Sequence, residues 1–160
     1  MSTGRVYSVS FEGIAAATVI DLFEIAPAAN KPVRILGMTL SQGGTTDVGD
    51  AGEEILRFQI LRGYTTSGSG GTSTTPVPLR STTATVGFVA ETCNTTGAST
   101  TTPDIVMSDS FYVRSGYQIF FPPECQPEAS AANTTIVVRL VALPGDAISL
   151  SGTLFIEELG

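Results

Sequence analysis

Glu54-Ile55-Leu56-Arg57-Phe58-Gln59-Ile60-Leu61-Arg62 alternates: Leu56, Phe58 and Ile60 fall on one side of an extended chain, Arg57 and Gln59 on the other. A helix would scatter these residues around its circumference. A strand gathers them, because successive side chains point to opposite faces. The same period of two recurs along the chain. In segment 5–11, Tyr7, Val9 and Phe11 oppose Val6, Ser8 and Ser10. In 18–25, Val19, Asp21, Phe23 and Ile25 oppose Ile20, Leu22 and Glu24. Segment 33–40 aligns Leu36, Met38 and Leu40, and 82–90 sets Val86 and Phe88 against Thr83, Thr85 and Val89. Segment 110–121 aligns Phe111, Val113, Tyr117, Ile119 and Phe121, with a bulge or bend at Ser115-Gly116. Segments 136–143 and 147–157 complete a set of about eight strands.

Turn-formers punctuate these runs: Gln42-Gly43-Gly44, Ser67-Gly68-Ser69-Gly70-Gly71, Pro76-Val77-Pro78, Pro122-Pro123 and Pro144-Gly145-Asp146. Strands of this length without an amphipathic helix predict an all-β fold, either a two-sheet sandwich or a closed barrel. Long strands reaching the C-terminus favour a two-sheet antiparallel sandwich, jelly-roll-like. At 160 residues the chain reads as one domain, 1–160. Two stretches, 64–79 and 91–107, read as long loops of Thr, Ser and Gly. Loops longer than about 12 to 15 residues in a compact domain are functional or mobile. Their residues Tyr64, Ser67, Gly68, Gly70, Gly71, Thr95 and Thr96 are the candidates for contact with a neighbour.

Charged residues make up 14 % of the chain, against roughly 25 % in an average soluble domain. A neutral Ser/Thr/Gly surface suits assembly against other proteins. The net charge is −7, and the eight basic residues lie singly along the sequence. Phosphate backbones demand clustered cations, so no nucleic acid is expected as partner, and the acidity argues against anionic membranes. No segment reaches the roughly 18 apolar residues of a membrane helix. Met1-Ser2-Thr3-Gly4-Arg5 has no apolar signal region, so folding in a cytoplasm is expected. Cys93 and Cys125 are then expected to stay unpaired.

The sequence contains no histidine. That removes the commonest general base and a frequent metal ligand together, so neither an enzyme nor a cofactor is expected. Asp47, Asp50 and Glu53, spaced by glycines, could offer oxygen ligands to Ca²⁺, although the spacing is not that of an EF-hand. Gly68 to Gly71 lacks the Gly-Lys-Ser/Thr ending of a phosphate loop. Asp21, inside an apolar strand, is expected to pair with an arginine such as Arg34 or Arg57.

Several segments together carry a family likeness. They are Arg5 to Gly13 leading into Asp21-Leu22-Phe23-Glu24-Ile25, then Asp47 to Ala51 with Glu53-Glu54, Arg62-Gly63 with Ser67 to Thr72, and finally Ser151 to Leu159. In this order the chain resembles a family of small structural proteins of tailed bacteriophages and prophages. The resemblance implies a virion protein, and the size and sandwich fold are similar to head decoration (cement) proteins. Such proteins sit on the capsid surface, commonly as homotrimers bound to the major capsid protein, after assembly in the host cytoplasm. The alternatives are another virion component (tail, fibre or neck) or a carbohydrate- or calcium-binding β-sandwich.

Overall fold

The computed structural model describes residues 5–43, 53–80, 85–130 and 135–160. The alternating segments form antiparallel strands, and among the described residues these build two six-stranded sheets. The strands are β1 (Arg5–Ala15), β2 (Asp21–Ala26), β3 (Val33–Gln42), β4 (Ile55–Tyr64), β5 (Thr72–Ser73), β6 (Val77–Pro78), β7 (Val89–Asn94), β8 (Asp104–Tyr112), β9 (Tyr117–Phe120), β10 (Glu128–Ala129), β11 (Thr135–Leu140) and β12 (Ser149–Glu158). Sheet A runs β10-β3-β12-β1-β6, with β9 also paired to β3; sheet B runs β5-β7-β2-β11-β4-β8.

Eight of these strands carry the topology. β1-β12-β3-β9 in one sheet faces β2-β11-β4-β8 in the other. The first strand pairs with the last, and most connections cross between sheets, which is the jelly-roll arrangement of two intertwined Greek keys. The sandwich expectation therefore holds. β5, β6, β7 and β10 are additions to the eight. β6 and β7 extend the two sheets past β1 and β2, which would otherwise be open edges.

The core lies between the inner faces, where apolar residues of alternate positions meet. Aromatic pairs span the gap: Phe11 of sheet A lies 5.1 Å from Phe23 of sheet B, and Tyr117 lies 4.9 Å from Phe58. These tilted and edge-on geometries are the favoured ones for aromatic rings.

Three details depart from simple alternation. The ladder between β2 and β11 slips one residue between Val138 and Arg139. This bulge leaves Leu22 in the core and turns Asp21 outward, away from the face it would share with Phe23 in a regular strand. Secondly, 85–88 is not a strand. Val86 and Phe88 still point inward, but the Gly87 N–H donates to Glu158 Oε2 at 2.6 Å instead of joining a ladder; the strand begins at Val89. Thirdly, the expected single strand at 110–121 is two, in different sheets. The chain turns at 113–116, where Ser115 and Gly116 N–H groups both donate to the Tyr112 carbonyl and Gly116 takes φ +70°. The stretch expected as a loop at 91–107 consequently contains most of β7 and the start of β8.

Candidate functional site

The outer faces of the two sheets differ. On sheet B the bulge at Leu22 leaves two carboxylates, Asp21 and Glu24, on the outer face, and both are buried. A carboxylate taken from water must recover its hydrogen bonds. Asp21 does so with Arg139, which sits opposite it on β11: Nη2 lies 2.9 Å from Oδ2, and Nε bonds Oδ1. The expected partners Arg34 and Arg57 are not used, because Arg34 belongs to sheet A and Arg57 lies further along β4 beside Ser110. Asp21 Oδ2 also accepts the Ala98 N–H at 2.7 Å, while Arg139 donates to the Ala98 carbonyl at 2.8 Å. Glu24 is satisfied by neutral donors: the Ser67 hydroxyl at 2.7 Å, the Gly68 N–H at 3.0 Å and the Asn94 amide at 2.8 Å.

These bonds fasten segments 65–71 and 94–100 onto sheet B. The two segments also pair with each other, Thr66 with Ser99 and Ser69 with Thr96, through reciprocal backbone bonds of 2.9 to 3.1 Å. Beneath them Leu61, Tyr64, Ala98 and Val137 form a second small apolar cluster. Tyr64 is thus not a contact residue. It is 3 % exposed, burial is the main cause lifting its phenol above the ordinary pKa, and the Arg139 guanidinium lies 4.9 Å over its ring. Ser67 and Gly68 are turned to Glu24. Gly70, Gly71, Thr95 and Thr96 are exposed on the outside of this layer, with Gly70 at φ +82° and backed by the Thr95 hydroxyl. The long loops are held by the domain itself.

Sheet A has no such layer among the described residues. Its outer face reads as rows set by strand register. A charged row joins Glu157, Arg34 and Glu128. The next joins Val77, Ser8, Phe155, Gly37 and Phe120 across five strands. Another joins Ser10, Thr153, Thr39 and Gln118, with the Ser10 and Thr153 hydroxyls 3.0 Å apart. Two shallow depressions lie along these rows. One, of about 310 Å³, is lined by Ser10, Glu12, Thr39, Ser41, Ser151 and Thr153; the other, of about 230 Å³, by Thr39, Ser41, Ser115, Tyr117 and Gln118. They share Thr39 and Ser41, so they adjoin.

The outer edge of sheet B is β8, nine residues long and unpaired on its far side among the described residues. An open edge invites strand addition, and this one is blunted in two ways. Val106 is bulged, because Ile60 pairs with Met107 and Leu61 with Ile105. Asp109 lies opposite the core residue Phe58, so a charge stands on the inward side of the edge, where it accepts the Tyr117 hydroxyl at 2.8 Å.

Of the calcium candidates, Asp47 and Asp50 lie outside the described residues and Glu53 is exposed. Among the described residues no three His, Cys, Asp or Glu side chains gather as a metal site. Cys93 is buried and Cys125 exposed, and both are free thiols. Fold and faces together define a jelly-roll sandwich with one clamped face and one open face. No family model, curated protein or solved structure matches the chain.

Proposed function

We propose that the protein is a bacteriophage virion structural protein, acting as a capsid decoration protein that binds the head surface through protein–protein contacts. The observation that carries this reading is the clamp on sheet B. Its buried ionisable groups, Asp21, Glu24 and Arg139, are consumed in fixing loops to the sandwich, which makes a stiff body rather than a reactive cleft. The resemblance of the ordered segments to phage structural proteins points the same way. So do the exposed aliphatic side chains: Ile55, Val77, Leu79, Val89, Val141 and Leu143 are each 44 % exposed or more, more than a charge-poor monomer gains from leaving in water.

The test is attachment. Purified protein is mixed with expanded empty capsids built from the major capsid protein encoded alongside it, and bound copies are counted. A fixed ratio of copies per capsid subunit supports the reading, and light scattering reporting a mass near three times 16.6 kDa supports a homotrimer. Absence from the capsid, with the protein located on the tail by electron microscopy, replaces decoration with a tail or neck role.

A further inference from the structure

We infer that the outer face of sheet A is a binding platform for a neutral pyranose oligosaccharide, stacked on Phe120 and hydrogen-bonded along the adjoining hydroxyl rows. This inference does not rest on the virion reading. Phe120 is 56 % exposed, yet its ring is held. A Cβ placed on Gly37 would stand 2.5 Å from Phe120 Cδ1 and 3.0 Å from Cε1. The ring therefore rests one face on the β3 backbone, in the space left by the missing side chain. Phe155 braces it, with ring centroids 5.4 Å apart and planes tilted by 32°. The exposure belongs to the opposite face of the ring. A fixed aromatic face costs little entropy on binding, and it offers a flat apolar surface to the C–H face of a sugar ring.

The second observation is what borders the ring. One pair further along the same face stands Gln118 beside Thr39, a step of about 7 Å along the strand. Beyond them lie the two adjoining depressions, lined by the hydroxyls of Ser10, Thr39, Ser41, Ser115, Ser151 and Thr153. Such side chains both donate and accept, which matches the hydroxyl edge of a pyranose. The third observation is charge. Neither depression is lined by a lysine or arginine, and Glu12 is their one carboxylate. A phosphate-bearing or acidic ligand would find no counter-charge, which excludes nucleotides and acidic glycans and leaves a neutral chain.

The experiment is an amide NMR titration of the full chain with three neutral hexasaccharides, a β-1,4-glucan, an α-1,4-glucan and a β-1,4-N-acetylglucosaminide, at millimolar concentration. At least one is expected to shift the amides of Thr39, Gln118, Phe120 and Thr153, leaving those of β8 unmoved. Phe120→Ala is expected to weaken that binding by about tenfold, with the melting temperature unchanged because the side chain is largely exposed. Gln118→Ala weakens it independently. No shift on this face with any of the three, or binding that Phe120→Ala leaves intact, overturns the inference. If Phe120→Ala instead abolishes capsid attachment while the sugars give no shift, the face belongs to a protein neighbour. That result overturns the sugar platform and leaves the virion reading standing.

Discussion

Replacing Arg139 with leucine removes the cation that compensates a fully buried carboxylate. The Asp21 side chain is 0 % exposed, while that of Arg139 retains 23 % exposure. Deleting one partner of a buried pair costs about 3–5 kcal/mol, because the other charge is left unsolvated. Water reaches the arginine side of this pair, which places the loss near the lower end, about 3 kcal/mol. For a chain of this size that corresponds to a melting temperature lower by about 6–12 °C. Calorimetry measures the midpoint, and amide exchange locates the damage. The amides of Thr96, Ala98 and Ser99 should exchange faster, since the Ala98 N–H and carbonyl are both tied to the pair. The double variant Asp21→Asn with Arg139→Leu removes the orphaned charge and keeps an acceptor for Ala98. It should recover about 1–2 kcal/mol of the loss. If the double variant is no more stable than Arg139→Leu alone, the buried charge is not what the arginine is there to balance.

Asp109→Leu removes the inward charge from the β8 edge and should turn it adhesive. Light scattering over a concentration series should then show association that the parent chain does not, and identical profiles would mean the bulge at Val106 suffices to guard the edge. The thiols separate by burial: a disulfide-exchange reagent should modify Cys125 at once and reach Cys93 only as the chain unfolds. Burial pushes the Cys93 thiol from the ordinary 9.0 up to about 12, outweighing a hydrogen bond with Thr92 that lowers it. The unfolded chain therefore releases this proton first, so the associated stability is complete below pH 9 and declines as pH rises toward 12. Cys93→Ala should flatten the loss between pH 9 and 10, before the tyrosines contribute. An unchanged slope there would show that Cys93 plays no part.

The period-two segments were legible because each inward position is apolar over several repeats, as with Leu56, Phe58 and Ile60. What could not be read was a one-residue slip. Nothing in Asp21-Leu22-Phe23 announces that Leu22 will bulge, yet that slip decides which face Asp21 occupies. Asp21 and Glu24 were visible as carboxylates inside an apolar strand. Their partners were not, since Ser67, Gly68, Asn94 and Ala98 meet them only after two distant segments fold back. For the same reason Tyr64 reads as a loop residue and lies buried. β8 is hidden by a different cause: as an edge strand it exposes both of its faces over 104–106, so alternation fails there. The Phe120 platform was half visible. Adjacent strand residues face opposite ways, so an alignment that sends Ile119 and Phe121 inward must send Phe120 out. That its ring lies over Gly37 depends on which strand becomes the neighbour.

Charge placement limits how this surface can recognise anything. The chain has eight cations, and five of them, Arg5, Lys31, Arg34, Arg62 and Arg139, are engaged in ion pairs. Three of those pairs secure carboxylates that are fully buried, Asp21 and Glu158. Glu158 in turn holds Gly87 and so the 85–88 segment, just as Asp21 and Glu24 hold the loops on sheet B. The scarce charge is thus spent largely on internal fastening. Long-range attraction, which decays within about 8 Å at physiological salt, has few unpaired cations to draw on. Recognition is left to short-range terms, the aromatic and hydroxyl rows of sheet A and the exposed aliphatic side chains. Those terms depend on shape, and shape survives only if the loops do not move. The clamped face and the open face are on this view one device: the buried carboxylates on sheet B keep rigid the body that presents Phe120 and its neighbours on sheet A.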